Sequence, residues 1–334
     1  MTAYSDLSIV AIIPLYNGAR WIQQAIESVL SQTLQPDEII IVDDGSTDDG
    51  AAIVERMRRE HPIIRLLRKP NGGQSSARNF GVAHSKSALI ALLDQDDAWY
   101  PHHLEMLIKP FRESDITPLG WAYSNIDLVT ENNEMFCYDY LNDLQVEHPK
   151  RHLVRCLKED MHILPSASLI LRQAFESVGG FDERLCGYED DDLFLRIFCA
   201  GWRNVYLSKS LSFWRMNSSS ASYSPRMAQS RMIYAGKLLA QFPDNRQHRV
   251  YFARNWIAPK FFRILAADFS YAVVDRNHKG AMRSLNDLAE MAPYMPYRIQ
   301  LLFRLAKPFL RSLLLARILV SAGRLARRAL VSAH

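Results

Sequence analysis

The chain has 334 residues, of which 48% are apolar and 23% charged, with a formal net charge of +4. These fractions are ordinary for a globular protein and predict a sizeable core in one large or two modest domains. No uninterrupted apolar run reaches the roughly 18 residues of a spanning helix. Cys137, Cys156, Cys186 and Cys199 form no CxxC pair and no Cys/His zinc spacing, so reduced thiols in a reducing compartment are expected. The polar residues 1–6 precede a short apolar strand rather than a signal-peptide core. The expected location is cytoplasmic, at most peripheral on the inner face of the cytoplasmic membrane.

Residues 7–14 are strongly β-prone and predict a first strand, followed by the turn Pro14-Leu15-Tyr16-Asn17-Gly18. Residues 21–32 have helical periodicity through Ile22, Ile26, Val29 and Leu30, and Pro36 ends the segment. A second buried strand over 38–42 stops at Asp43-Asp44-Gly45-Ser46; a helix over 47–60 and a third strand over 63–67 follow. After the polar loop Lys69-Pro70-Asn71-Gly72-Gly73-Gln74, Ser75 or Ser76 is expected to cap a helix running to His84. The apolar run 87–93 predicts a fourth, buried strand that stops at Asp94-Gln95-Asp96-Asp97.

Strands and helices alternating at this spacing predict a doubly wound, mostly parallel α/β sheet. Right-handed crossovers would bring Asp43-Asp44 and Asp94-Asp96 to the same sheet edge. Beyond Pro118 the pattern becomes mixed. Strand or hairpin is expected over 119–129, an irregular segment over 132–149, and a short helix over 151–158. Then come a strand over 166–171, a short helix over 173–178, a helix over 193–200, and short strands over 205–207 and 211–216. A Ser-rich flexible loop over 217–224 and mainly helix from Arg226 complete the chain.

Chemistry-bearing groups cluster at the strand ends. Asp94 and Asp96 could both face an oxygen-loving cation such as Mg²⁺ or Mn²⁺, or the cluster could cap the helix that Pro101 starts. A carboxylate at Asp43-Asp44 can accept from a base or ribose edge, or serve a turn and helix cap. Arg78 suits a diphosphate, or is an exposed helix arginine. Glu189-Asp190-Asp191-Asp192 opens a helix whose dipole favours acids, yet crowding raises at least one pKa, which suits a general base. His102 and His103 read as solvent-exposed histidines, and Phe194, Trp202, Phe213 and Trp214 as core aromatics. There is no GxGxxG turn and no GxxxxGK[ST] loop, which disfavours dinucleotide and P-loop enzymes.

In one order the chain carries Ile12-Ile13-Pro14-Leu15-Tyr16-Asn17, Val42-Asp43-Asp44-Gly45-Ser46, Asn71-Gly72-Gly73 with Ala77-Arg78-Asn79, and Leu93-Asp94-Gln95-Asp96-Asp97. Gly180-Phe181-Asp182 with Glu189-Asp190 follows. Over residues 7–220 this resembles a non-processive, bacterial-type family 2 glycosyltransferase of the GT-A fold. The resemblance implies a mixed, mostly parallel sheet flanked by helices. A catalytic domain is expected over 1–225, with a nucleotide-sugar half over 1–115 and an acceptor half over 116–225, and a helical, basic region over 226–334.

The resemblance also implies inverting transfer from a nucleotide-sugar, often UDP-linked, with Mn²⁺ or Mg²⁺. The acceptor would be a glycan or lipid-linked hydroxyl in cell-surface polysaccharide synthesis. By position, Pro14, Tyr16 and Asn17 would line the donor site, with Tyr16 against the base. Asp44 would bind the base edge, supported by Asp43, and Arg78 the nucleotide or diphosphate. Asp94, Gln95 and Asp96 form the DxD segment, with Asp96 and Asp94 on the metal. Asp190 would be the base, with Glu189 orienting acceptor or base.

Two departures qualify this. Asn217 stands where the family commonly has His, which implies metal coordination that is weaker or completed by water. No Gln-x-x-Arg-Trp occurs and no spanning bundle follows, which favours adding one or few sugars. The competing expectations are a sugar-1-phosphate nucleotidyltransferase, whose Gly-rich basic N-terminal loop is missing at 14–20, and a non-catalytic sugar-nucleotide-binding scaffold.

After Glu290 there is no acidic residue, while Arg298, Arg304, Lys307, Arg311, Arg317, Arg324, Arg327 and Arg328 follow. Interleaved Leu, Ile, Phe and Val predict an interfacial amphipathic helix over 298–330 on an anionic membrane surface. The alternative is a helix packed on the domain or in a dimer with solvated arginines. Nucleic acid is not the expected partner, because the segment holds no recognised reading module.

Overall fold

The computed structural model describes residues 7–217, 225–312 and 314–318. Strands β1 (Ile9–Leu15), β2 (Glu38–Asp43), β3 (Ile64–Arg68) and β4 (Leu89–Leu92) alternate with helices α1 (Ile22–Leu30), α2 (Gly50–Glu60) and α3 (Gln74–Ala83). There follow β5 (Ala98–Trp99), α4 (His103–Glu113), β6 (Leu119–Val129), β7 (Met135–Cys137), α5 (Tyr140–Asp143) and α6 (Leu153–Lys158). β8 (Ser168–Leu171), α7 (Arg172–Ser177), α8 (Glu189–Cys199) and β9 (Arg203–Arg215) complete the sheet region. The sheet order is β3-β2-β1-β4-β8-β6-β9-β5, with β7 pairing off β6. β1 to β4 are mutually parallel and β6 pairs β9 in parallel, whereas β8 and β5 run antiparallel to their neighbours.

The inner parallel strands β1, β2 and β4 are buried along nearly their whole length because helices cover both faces, whereas the edge strand β3 exposes Arg65 and Arg68. β1 reads as a continuous apolar run and has no exposed residue. Pro14 is tolerated in this central strand because β1 pairs with β4 only as far as Ile12↔Leu92.

Several local expectations are corrected. Ser75 and Ser76 lie inside α3, whose N-cap is Gly73 at φ +88°, a conformation open to glycine. The two short strands expected near 205 and 211 are one strand, β9. Its register against β6 jumps from Ser124↔Leu207 to Asn125↔Ser210, so a bulge interrupts the apolar pattern without ending the strand. The irregular 132–149 segment contains β7 and the single turn α5. His103 is fully buried, stacked on Trp99 at 4.4 Å, with Nδ1 3.1 Å from the Leu211 carbonyl. Its neighbour His102 is exposed, as expected. Of the four aromatics expected in the core, Phe194 is fully buried, while Trp202, Phe213 and Trp214 are half-buried.

The chain divides into two compact units, Met1–Cys156 with Asp160–Ser230, and Leu157–Glu159 with Arg231–His334. From Pro225 the described residues are mainly helical, with α9 (Pro225–Gln241), α10 (Ala258–Val274), α11 (His278–Met291) and α12 (Tyr297–Leu310). In the second unit Tyr234 meets Phe261 edge-on at 6.0 Å. Asn277 caps α11 by accepting from the Gly280 N–H at 2.9 Å. Residues 218–224 of the expected flexible loop and 319–330 of the expected basic helix lie outside the described residues.

Candidate active site

The order of the first four strands reverses between β1 and β4, and open α/β sheets bind ligands at the carboxyl ends beside such a reversal. β1 continues to pair with β2 through Leu15↔Asp43 after its pairing with β4 has ended, which opens a crevice there. Three acidic segments border it. Gln95 ties its two walls: its Oε1 accepts from the Tyr16 N–H at 2.8 Å and its Nε2 donates to the Tyr16 carbonyl at 3.1 Å. The Tyr16 side chain is 48% exposed, free to present its ring to a planar ligand. Asn17 Oδ1 accepts from the Thr47 N–H at 2.8 Å, fixing the β1 turn against the β2 turn.

Asp43 and Asp44 are both buried. Asp43 Oδ1 accepts from the Ser46 N–H at 2.9 Å, closing the turn after β2. Asp44 accepts from Lys69 Nζ at 2.6 Å, from the Gly72 N–H at 3.0 Å and from the Gly73 N–H at 2.7 Å. It therefore anchors the loop that leads into α3. Lys69 is a site component that the motif pattern did not single out.

Arg78, one turn into α3, is 1% exposed. Its guanidinium donates to Asp94 Oδ1 at 2.5 Å and to Glu189 Oε1 at 3.2 Å, and lies 5.2 Å from the Phe181 ring centre. Burial opposes its charge, and the two carboxylates more than offset that, so its pKa is raised. The expectation of an exposed helix arginine is therefore corrected: Arg78 is buried.

The segment after β4 separates three aspartates by environment. Asp94 keeps Oδ2 outside any hydrogen bond among the described residues, and its N–H donates to Ser166 Oγ at 3.0 Å. Asp96 accepts from Asn217 Nδ2 at 2.7 Å; burial and the neighbouring Asp94 push its pKa up to about 6. Asp97 is buried and accepts from the Arg215 N–H at 3.0 Å, with its pKa raised by burial and by Asp96. Arg215 stitches this segment down: Nε donates to the Asp96 carbonyl at 2.7 Å and a terminal nitrogen to Gln24 Oε1 at 2.9 Å.

The four acids opening α8 also have distinct surroundings. Glu189 accepts from Gln74, from Arg78 and, at 2.6 Å, from the Gly187 N–H. Asp191 accepts from the Met161 N–H, and Asp192 from Arg196 Nε at 2.8 Å. Asp190 is half-buried, and among the described residues it accepts from the Asp191 N–H at 2.8 Å. Burial, then Asp191 and Glu189, raise its pKa well above the usual carboxylate range. Gln74 is the second component missed from sequence: a lone glutamine in a polar loop carries no motif signal.

The donor chemistry fits a hard divalent cation at Asp94 and Asp96. Among the described residues no three His, Cys, Asp or Glu converge. Mg²⁺ commonly takes one or two carboxylates and completes its shell with phosphate oxygens and water. The pKa of Asp96 is raised by burial first and by the neighbouring Asp94 second, and a cation between the two carboxylates would relieve that repulsion.

The glycosyl transferase family 2 profile matches residues 10–179, half of the chain, and includes the two acidic strand ends at Asp43-Asp44 and Asp94-Gln95-Asp96-Asp97. The chain belongs to glycosyl transferase family 2. Helix α8 lies just beyond the matched residues. An uncharacterized glycosyltransferase of Nostoc is 36% identical over 129 residues, which cover 38% of this chain and 39% of that protein. S. aureus TarS residues 1–349, solved in complex with UDP-GlcNAc, superposes with a TM-score of 0.64 at 17% identity, covering 96% of this chain and 92% of that one. The mannosyltransferase PcManGT of Pyrobaculum calidifontis, solved with GDP-Man and Mn²⁺, gives 0.54 at 18%, covering 95% and 86%. The fold of this family 2 member is accordingly the GT-A type.

Proposed function

We propose that this glycosyltransferase moves a sugar from a nucleotide-sugar, a UDP-sugar first among them, to a hydroxyl of a glycan or lipid-linked acceptor with inversion at the anomeric carbon. The observation that carries the mechanism is the contrast within α8. Glu189 and Asp191 are engaged with groups from outside α8, and Asp192 with Arg196 one turn along it, whereas Asp190 among the described residues is held by its neighbour's N–H and has a raised pKa. A half-buried carboxylate with elevated basicity is a competent general base.

In this reading Tyr16 stacks on the base, while Asp44 and Asp43 shape the pocket edge through the loop they hold. Asp94 and Asp96 face the diphosphate. A divalent cation bound there would neutralise the charge that develops on the leaving nucleoside diphosphate. Arg78 aligns Asp94 with the start of α8 and adds positive potential behind the diphosphate. Asp190 takes the acceptor O–H proton as that oxygen bonds to the anomeric carbon. The bond from carbon to the diphosphate oxygen breaks on the opposite face, and the electron pair leaves with the diphosphate. No covalent enzyme intermediate is needed. TarS and PcManGT were solved with UDP-GlcNAc and GDP-Man, which supports the donor class.

The test is a panel of UDP-, GDP- and dTDP-sugars with Mn²⁺ or Mg²⁺, read by donor hydrolysis and thermal shift. A metal-dependent shift with one UDP-sugar is expected. No shift and no turnover with any donor at saturating metal rejects the proposal.

A further inference from the structure

Helix α12 presents two opposed apolar faces. Phe303 packs edge-on against Phe262 at 5.8 Å within the same unit, and Ile299, Ala306 and Leu310 are half-buried beside it. On the other side Leu301, Leu302, Leu305 and Phe309 recur at helical spacing and are 43%, 62%, 61% and 56% exposed. A soluble helix of this length needs only the first face. Next to the exposed stripe run Arg304, Lys307 and Arg311, at i, i+3 and i+7, which share one edge of the helix. The helix contains no acidic residue, and none follows Glu290 anywhere in the chain.

We propose that this outer face of α12 docks on an anionic phospholipid surface, with Leu301, Leu302, Leu305 and Phe309 entering the acyl boundary and Arg304, Lys307 and Arg311 meeting lipid phosphates. Charge selects this occupant. Exposed leucines bordered by a basic ridge match a surface that is hydrocarbon beneath and anionic above. A second copy of α12 would set arginine against arginine with no acid on either helix to offset it. A soluble polyanion would satisfy the basic edge and leave the apolar stripe in water. Among the described residues no helix is long and apolar enough to cross a membrane, so the contact lies in the interface plane. This placement is independent of the sugar-transfer chemistry.

The test is flotation of the full chain with vesicles of phosphatidylcholine alone and of phosphatidylcholine mixed with phosphatidylglycerol. The protein is expected to float with the mixed vesicles and not with phosphatidylcholine, and high salt should release it. Arg304→Gln, Lys307→Gln and Arg311→Gln together are expected to lower partitioning on the order of 100-fold. Leu302→Glu with Leu305→Glu is expected to abolish it. Apart from the half-buried Lys307, both sets change exposed side chains, so circular dichroism and donor-induced thermal shift should match the wild type. Equal flotation on both vesicle types overturns the proposal, as does flotation that survives both sets of substitutions. A wild-type dimer in light scattering that fails to float, and that Leu305→Glu makes monomeric, reassigns the face to a second copy.

Discussion

Arg78 donates to Glu189 at 3.2 Å across 111 residues of sequence, and its other terminal nitrogen reaches Asp94 at 2.5 Å. One guanidinium thus joins the segment after β4 to the first turn of α8, the two elements that carry the proposed diphosphate contacts and the proposed base. Arg78→Met would leave Glu189 a buried, uncompensated charge. The expected loss of stability is about 3 kcal/mol, the lower end for a broken buried pair because Asp94 is 32% exposed. Arg78→Lys should recover little, since one ammonium cannot span both carboxylates. Urea unfolding checks this. An unchanged midpoint with lost donor affinity would mean that Arg78 acts on the diphosphate alone.

Asp190→Asn should retain donor binding and lose transfer by about 10²–10⁴-fold. The sign of the pH dependence follows from the raised pKa. The base works only when deprotonated, so the wild-type rate should fall as pH drops through a value above the ordinary carboxylate range. The residual rate of the variant should lack that limb. Donor titration by thermal shift beside a pH–rate profile separates the two effects. Loss of donor binding in a folded Asp190→Asn protein would remove Asp190 from the role of base.

The sheet and the acidic strand ends were legible because buried parallel strands are written as unbroken apolar runs that stop at polar turns. β4 followed by Asp94 shows this directly. What the pattern could not convey was engagement. Nothing in Val42-Asp43-Asp44-Gly45 tells that Asp44 is taken up by Lys69 and two glycine N–H groups, because those partners lie 25 to 29 residues away. His103 was misread for a related reason. Two adjacent histidines at a helix start look alike in sequence, and only the packing of Trp99 over one of them separates buried from exposed. β9 was divided because Ser208 and Lys209 at its bulge break the apolar pattern while hydrogen bonding to β6 resumes beyond them.

Asn217 donates to Asp96 Oδ2 at 2.7 Å and so fixes the orientation of that carboxylate. Asp96→Ala should abolish metal-dependent donor binding. Asn217→Ala should weaken metal affinity about 10–100-fold, the usual effect of losing a group that orients a ligand. Titration of Mn²⁺ in the presence of donor measures both. Donor binding by Asp96→Ala with an unchanged metal requirement would reject Asp96 as a ligand.

Gly18 holds open the space in which Gln95 clamps Tyr16. A Cβ at this position would meet Gln95 Oε1 at 2.3 Å. Gly18→Ala should therefore swing the Gln95 amide away and release both hydrogen bonds to the Tyr16 backbone, at a cost of about 1–3 kcal/mol. Because the loosened turn carries the exposed Tyr16 ring, donor KM should rise more than kcat falls. Steady-state kinetics with a fixed acceptor give the split. A fall in kcat at constant donor KM would show that the clamp does not shape the donor pocket.

His103 makes the fold sensitive to acid. Burial pushes its pKa down to about 3, against about 6.5 for an unfolded histidine. The unfolded chain therefore takes up a proton near pH 6.5 that the folded chain refuses. Its contribution to stability is complete above that pH and is lost as pH falls toward 3, by up to about 1.4 kcal/mol per pH unit. His103→Phe keeps a ring against Trp99 and removes the titrating group. It gives up the contact with the Leu211 carbonyl, so its stability at pH 8 should be lower, while the decline between pH 6.5 and 4 should be shallower. Urea unfolding of both proteins across that range measures the two slopes. Parallel slopes would mean that His103 becomes protonated within the folded state, and that its burial beneath Trp99 does not keep the proton out.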